Sequence, residues 1–245
     1  MIPNQTIEKL KQIRLGLLAD VYREQSKQPG ISELDFDERF AQLIDNYYLC
    51  YENKAMERRL KIANLKLANA SVESVDYHTP RGLDKNLFKN LANLEWIRYH
   101  RNCLITGPTG IGKSFLACAL GQKACRDGYK TLYKQSMKLF RELFAARHDG
   151  TLTKLLNKIA KFDLLIIDDF GMESAKPTQY RDFLELIDEI WNNGALIITS
   201  QTPPNLWHDF IREQTVADAI VDRIFHNAYF IELQGESMRK LNKHF

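Results

Sequence analysis

The sequence predicts an α/β chain with a parallel sheet, helices on both of its faces and a small all-α domain ahead of it. Three stretches carry the prediction. Gly107-Pro108-Thr109-Gly110-Ile111-Gly112-Lys113-Ser114 fits the pattern G-x-x-x-x-G-K-[ST] at every fixed position. Leu164-Leu165-Ile166-Ile167-Asp168-Asp169 is an apolar run that ends in two carboxylates, and Ala195-Leu196-Ile197-Ile198-Thr199-Ser200-Gln201 is another with a polar tip. Short continuous apolar runs are how strands buried on both faces read.

The first stretch is a P-loop. Glycines let backbone N–H groups turn inward around phosphates, Lys113 reaches the β and γ phosphates, and the Ser114 hydroxyl takes magnesium. Its flanks fit: Asn102 to Thr106 reads as a buried strand and Lys113 to Arg126 as a helix, so the orphan amides and positive dipole end of that helix meet the anion. Gly107, Pro108, Thr109, Gly110, Ile111, Gly112, Lys113 and Ser114 are the candidate nucleotide-binding residues.

A buried strand that ends in adjacent carboxylates needs a cation, because like charges repel and resist desolvation. Asp168 and Asp169 therefore read as a Walker B pair. Asp168, with Ser114, would hold magnesium, and Asp169 would polarise the attacking water of an in-line phosphoryl transfer; turn-forming aspartates are the plainer alternative. Polar groups at the carboxyl end of a central strand face the ligand crevice of an open parallel sheet. Ser200 and Gln201 are accordingly candidate γ-phosphate sensors, or else turn residues before Pro203-Pro204.

Composition narrows the classes. With 245 residues and 44% hydrophobic content the chain is globular. Its 34 Lys and Arg against 31 Asp and Glu, a formal +3, do not argue for nucleic acid, so a DNA site must be a local patch. The four cysteines, Cys50, Cys103, Cys118 and Cys125, form no C-x-x-C pair and read as reduced, buried thiols. Met1-Ile2-Pro3-Asn4-Gln5 opens no signal sequence, and no apolar run approaches the roughly 18 residues of a membrane span. A cytoplasmic protein with no membrane partner is expected.

In chain order, Thr6 to Gln25 has helical apolar spacing through Ile7, Leu10, Ile13, Leu17, Leu18, Val21 and Tyr22. After Pro29-Gly30, Phe36, Phe40, Leu43, Ile44, Tyr47, Tyr48 and Tyr51 repeat the period. That helix continues or bends into Glu52 to Lys66, the densest basic helix of the chain. Lys54, Arg58, Arg59, Lys61 and Lys66 there are candidate DNA-backbone contacts, against the alternative of a solvated charged face. We expect a helical domain over 1–70, a linker over 71–82 and a nucleotide domain over 83–245. Leu83 to Tyr99 is helical, 130–135 a strand, 136–147 and 151–160 helices, and Thr178 to Asn192 a helix. Thr215 to His226 is a helix carrying Arg223, 228–233 the last strand, and Gly235-Glu236-Ser237-Met238-Arg239 opens a short terminal helix.

With both nucleotide motifs and the tail in view, the chain resembles the IstB family of ATP-binding helper proteins encoded beside transposases in bacterial insertion sequences. The resemblance is carried by the P-loop, Leu116-Ala117-Cys118-Ala119-Leu120, the Leu164 to Asp169 run, Thr199-Ser200-Gln201, Ala217-Asp218-Ala219-Ile220-Val221-Asp222-Arg223 and Gly235-Glu236-Ser237-Met238-Arg239. Looser likeness extends to Phe36-Asp37-Glu38-Arg39, Glu57-Arg58-Arg59-Leu60 and Pro80-Arg81-Gly82-Leu83-Asp84. It implies a P-loop NTPase of the AAA+ class, similar to DnaC-type helicase loaders. Such a protein would use ATP and Mg2+, form a homo-oligomer on double-stranded DNA and serve a partner transposase. The resemblance also implies an arginine finger at Arg223 acting across a subunit interface and a sensor 2 arginine at Arg239. Two departures stand out: Asp169 lies where many AAA+ proteins use Glu, and residues 234–245 are too few for a separate C-terminal lid domain.

The function expected is an ATPase, stimulated by DNA and oligomerisation, that delivers target DNA to a transposase. A DnaC-like replicative helicase loader is the alternative. A small-molecule kinase would require a lid and a second substrate pocket, and a nucleotide-gated binding module would lack turnover.

Overall fold

The computed structural model describes residues 4–172, 175–191 and 193–238. The chain divides into two compact units, Met1–Arg58 and Arg59–Phe245. The division falls inside a helix, ahead of the expected linker.

The first unit opens with α1 (Asn4–Gln12) and α2 (Gly16–Gln25). One helix was expected over this stretch; the break lies at Arg14, whose φ of 66° is left-handed, a conformation that ends a right-handed helix. Ile7, Ala19 and Val21 are buried, and buried Gln25 donates through Nε2 to the Arg39 carbonyl at 2.7 Å. The next helix, α3 (Phe36–Ala63), takes in both the aromatic stretch and the basic one as one continuous helical segment. Asp35 caps it, accepting from the Glu38 amide at 2.8 Å, as an acceptor at a helix start should. Its aromatic period does not face a core: Phe36, Phe40, Ile44, Tyr48 and Tyr51 are exposed.

In the second unit, α4 (Lys85–Ala92) and α5 (Glu95–Arg98) lead to β1 (Cys103–Thr106) and α6 (Lys113–Arg126). Then come β2 (Thr131–Gln135), α7 (Ser136–His148), α8 (Leu152–Ile159) and β3 (Leu164–Phe170). The unit continues with α9 (Pro177–Ile190), β4 (Ala195–Ser200), α10 (Trp207–Phe210), α11 (Gln214–Phe225) and β5 (Tyr229–Glu232). The strands form one sheet in the order β2-β3-β4-β1-β5, with every pairing parallel.

Side chains alternate between two cores because successive residues of a strand point to opposite faces. Leu164, Ile166, Ala195, Ile197, Cys103 and Ile105 pack with α4, α5 and α6. Leu165, Ile167, Leu196, Ile198 and Leu104 pack with α7, α8, α9 and α11. The result is the expected parallel sheet with helices on both faces. The expected linker, 71–82, belongs to this packing, since Val75 is in the first of these cores with Val72 and Tyr77 against it and Arg81 is buried. Among the described residues no helix is long and apolar enough to cross a membrane.

Candidate functional site

The P-loop leaves the carboxyl end of β1 and enters α6, and its glycines are forced by close neighbours. Gly107 has φ 142°, and a Cβ there would lie 2.3 Å from the Leu233 carbonyl oxygen. Gly112 has φ 103°, and a Cβ would lie 2.4 Å from an Arg81 guanidinium nitrogen. Lys113 is buried, and its ammonium donates to the carbonyls of Gly107 and Pro108 at 2.6 and 2.8 Å. Burial lowers its pKa, and the charges of Asp169 and Asp168 oppose that.

Ser114 and Asp168 meet as the metal assignment requires: the Ser114 hydroxyl lies 2.8 and 2.9 Å from the two carboxylate oxygens. Asp168 is completely buried and accepts further bonds from Tyr133 Oη at 2.6 Å and Thr199 Oγ1 at 2.5 Å. Burial alone would raise its pKa, but the bonds from Thr199, Tyr133, Lys66 and Ser114 hold it below the usual carboxylate value. Asp169 follows at φ 61°, where the β3–β4 register is irregular between Ile167 and Phe170, and its amide donates to Thr199 Oγ1 at 3.0 Å. A hydroxyl and carboxylates are hard oxygen donors, the set magnesium prefers, so the residues fit the ion.

Three expectations change here. The Ser200 hydroxyl is not directed to Asp168: the residue is fully buried, and its hydroxyl donates to the Phe170 carbonyl at 2.8 Å and accepts from the Thr202 amide at 3.1 Å. Strand parity is the reason. Counting in twos along β4 from Ala195 and Ile197 puts Thr199, not Ser200, on the α6 face. The same count along β3 puts Asp168 there after Leu164 and Ile166, and along β2 it puts Tyr133 there. Gln201 does reach the loop, accepting from Thr109 Oγ1 at 2.7 Å.

Lys66 is not on the basic helix, which stops at Ala63. Its ammonium lies 3.0 Å from Asp168 Oδ2 and 3.3 Å from Asp169 Oδ2. Burial lowers its pKa, but the hydrogen bond and charge of Asp168, with those of Asp169, outweigh this and raise it. Arg59 is likewise engaged, its Nε donating to the Cys125 carbonyl at 2.8 Å. Lys54, Arg58 and Lys61 remain exposed on α3.

A cleft of about 560 Å³ is lined by Lys66, Thr109, Lys113, Ser114, Asp169 and Gln201, and also by Arg81 and Met238. Its volume suits a small-molecule ligand. The segment after β5 lies over the loop: the Met238 amide donates to the Gly110 carbonyl at 2.9 Å, and the Leu233 amide to Thr106 at 2.8 Å. Arg223 stands elsewhere. Its Nε pairs with Asp188, and its own carbonyl accepts from Asn102 Nδ2 at 3.3 Å, at the end of β1 away from the P-loop. Arg239 lies outside the described residues.

Sequence reasoning missed Tyr133, Thr199 and the placement of Lys66. The first two were open to strand parity; nothing in the local sequence marks the third. Thr199→Val keeps the shape but strips the buried Asp168 carboxylate and the Asp169 amide of a partner. A loss of about 1–3 kcal/mol in urea unfolding at pH 7 is expected. Because the Asp168 pKa is depressed, its stabilisation is present above the unfolded carboxylate pKa and is lost as pH falls through the folded value. The gap between wild type and variant should therefore narrow in acid; equal stability at pH 7 would count against this network.

A P-loop after β1, a carboxylate pair at the end of β3 with β4 between the two strands, and a five-stranded parallel sheet in this order define a P-loop fold of the AAA+ type. The chain belongs to the family described as IstB-like ATP binding protein, which matches residues 8–245. It is 39% identical over 240 residues to a Sinorhizobium fredii protein named as an insertion sequence ATP-binding protein, covering 98% of each chain. It is 41% identical over 203 residues to the protein so named from insertion sequence IS1162 of Pseudomonas fluorescens, covering 83% of this chain and 88% of that one. Among solved structures, DnaI is similar with TM-score 0.57 and 23% identity over 67% of this chain and 91% of that one. The DnaC helicase loader is similar with TM-score 0.52 and 19% identity over 67% of this chain and 97% of that one. These two likenesses concern the fold.

Proposed function

We propose that this protein is an ATP-hydrolysing regulator of transposition that assembles on double-stranded DNA and delivers the target to a partner transposase. The observation that carries the reading is the convergence of Lys113, Ser114 and Asp169 on one cleft, with buried Asp168 bonded to Ser114 beneath it, in a chain of an ATP-binding family. The insertion-sequence names of its relatives favour transposition over helicase loading.

In this reading Lys113 leaves the loop carbonyls for the β and γ phosphates. Ser114 and Asp168 hold magnesium, which supplies charge neutralisation at the phosphates. Asp169 orients the attacking water, and Gln201, bonded to Thr109, senses the γ-phosphate. Thr199 and Tyr133 are positioning residues: they fix the Asp168 carboxylate so that it need not reorganise. Arg223 acts on a neighbouring subunit's nucleotide, and Arg239 is the sensor 2 arginine. Sedimentation with and without a DNA duplex, in ATP, ADP or no nucleotide, tests the reading; assemblies independent of ATP and DNA would defeat it.

For DNA, Lys54, Arg58 and Lys61 are the contacts we propose, spaced along α3 as one helix face. Arg59 and Lys66 are withdrawn from the set because their side chains are engaged elsewhere. The Lys54→Gln, Arg58→Gln double variant should flatten the slope of log affinity against log salt by about 0.9 per lost phosphate contact, with little change in sequence preference. An unchanged slope would return this face to solvent.

A further inference from the structure

We infer that Lys66 is a tethered counter-cation that competes with magnesium for the Asp168–Asp169 pair. Loading of the metal–nucleotide would then release the segment that ends the basic helix. The inference rests on the Mg-ATP reading above and adds a residue to it.

The geometry is specific. Lys66 Nζ bridges one oxygen of each carboxylate, at 3.0 and 3.3 Å, and it lines the nucleotide cleft. The other bonds to Asp168 come from the hydroxyls of Ser114, Tyr133 and Thr199, and Lys113 is turned onto the loop carbonyls. Among the described residues Lys66 is therefore the cation that bridges the pair. Magnesium held by Asp168 would lie about 2.0–2.1 Å from the oxygen it takes, so an ammonium hydrogen-bonded to the same carboxylate would meet a doubly charged ion within a few ångströms. The two cations cannot both be held there without strong repulsion in a partly dry site, so one leaves.

The chain around Lys66 is arranged to register its departure. Before it, Arg59 is bonded to the Cys125 carbonyl at the far end of α6. Leu65 lies on Gly121 in the middle of α6, close enough that a Cβ on that glycine would stand 3.1 Å from Leu65 Cδ2. Ala63 and Ala70 are buried on either side, with exposed residues between. Residues 59–66 are thus clipped along the P-loop helix, and Lys66 is the clip at its nucleotide end. Asn64, at φ 49°, turns the chain from the helix end into that path.

The test uses the full chain with Lys66→Met, which keeps the length and removes the charge, and Lys66→Arg, which keeps the charge. Magnesium is titrated against a fluorescent N-methylanthraniloyl ATP, and manganese binding to the nucleotide-stripped protein is followed by electron paramagnetic resonance. Lys66→Met should lower the half-saturating metal concentration roughly tenfold, within the range of ordinary coupling between sites, while Lys66→Arg stays near wild type. Unchanged or weaker metal affinity in Lys66→Met, with magnesium-dependent binding intact in wild type, overturns the inference and leaves the Mg-ATP reading standing. Absence of magnesium-dependent binding in wild type overturns both. Should Lys66→Met not fold, amine acetylation of wild type decides: Lys66 modification should rise on adding magnesium and ATPγS, and a fall or no change refutes release.

Discussion

Lys113→Ala is expected to weaken ATP binding by about 100-fold or more and to abolish ATP-dependent assembly. The side chain is buried in the loop, and its ammonium, held there by two loop carbonyls, exchanges them for the phosphates in the proposed reading. Charge-assisted bonds to a desolvated phosphate are roughly twice as strong as neutral ones, and losing the buried partner of a charge costs about 3–5 kcal/mol. At about 1.4 kcal/mol per decade that exceeds two decades of affinity. The variant should unfold near the wild-type temperature without nucleotide, since a desolvated cation is itself a burden on the fold. Calorimetric titration with ATP, paired with sedimentation on DNA, reads both effects; unchanged affinity and assembly would refute the P-loop assignment.

Arg223→Ala should leave nucleotide binding by dilute protein nearly intact while DNA-stimulated hydrolysis falls by about 10³ to 10⁵, the contribution of an arginine finger. The Arg223 carbonyl is tied to Asn102 at the foot of β1, and the P-loop departs from its head, so the strand separates Arg223 from its own subunit's phosphates. A finger from there would act on another copy. Its pairing with half-exposed Asp188 contributes only about 0–1 kcal/mol as a surface ion pair, so a large loss of stability on substitution would instead indicate a packing role. Mixing Arg223→Ala with Asp169→Asn subunits joins an intact finger to an intact site. Turnover should return at intermediate ratios, and none at any ratio, from subunits that fold and co-assemble, would send Arg223 back to structure.

Much of the nucleotide domain was legible because its signals are local and repeated. A glycine-rich loop between an apolar run and a helical period has few alternative readings, and Lys113–Arg126 proves to be the helix expected. Less legible was which residue at a strand tip faces the ligand. Ser200 and Thr199 are equally polar neighbours, and only the face occupied by the preceding residues, Ile197 and Ile198, separates them. Lys66 was illegible for a different reason. The helical pattern runs smoothly past Ala63, so that the chain should turn at Asn64 is decided by tertiary contacts of Arg59 and Leu65, which no local period encodes. The aromatic period of α3 misled in the opposite sense: helical spacing reports a face, and here that face is exposed.

The left-handed backbone at Asp169 bears on how that position can vary. Asp and Asn adopt this conformation more readily than most other residues, through their short polar side chains, and longer side chains take it at greater cost. The position is thus selected twice, once for a carboxylate and once for a residue that can make the turn out of β3. Glutamate, common there in many AAA+ proteins, would keep the first property and compromise the second. Asparagine does the reverse, which makes it the substitution that separates the chemistry of this residue from its geometry.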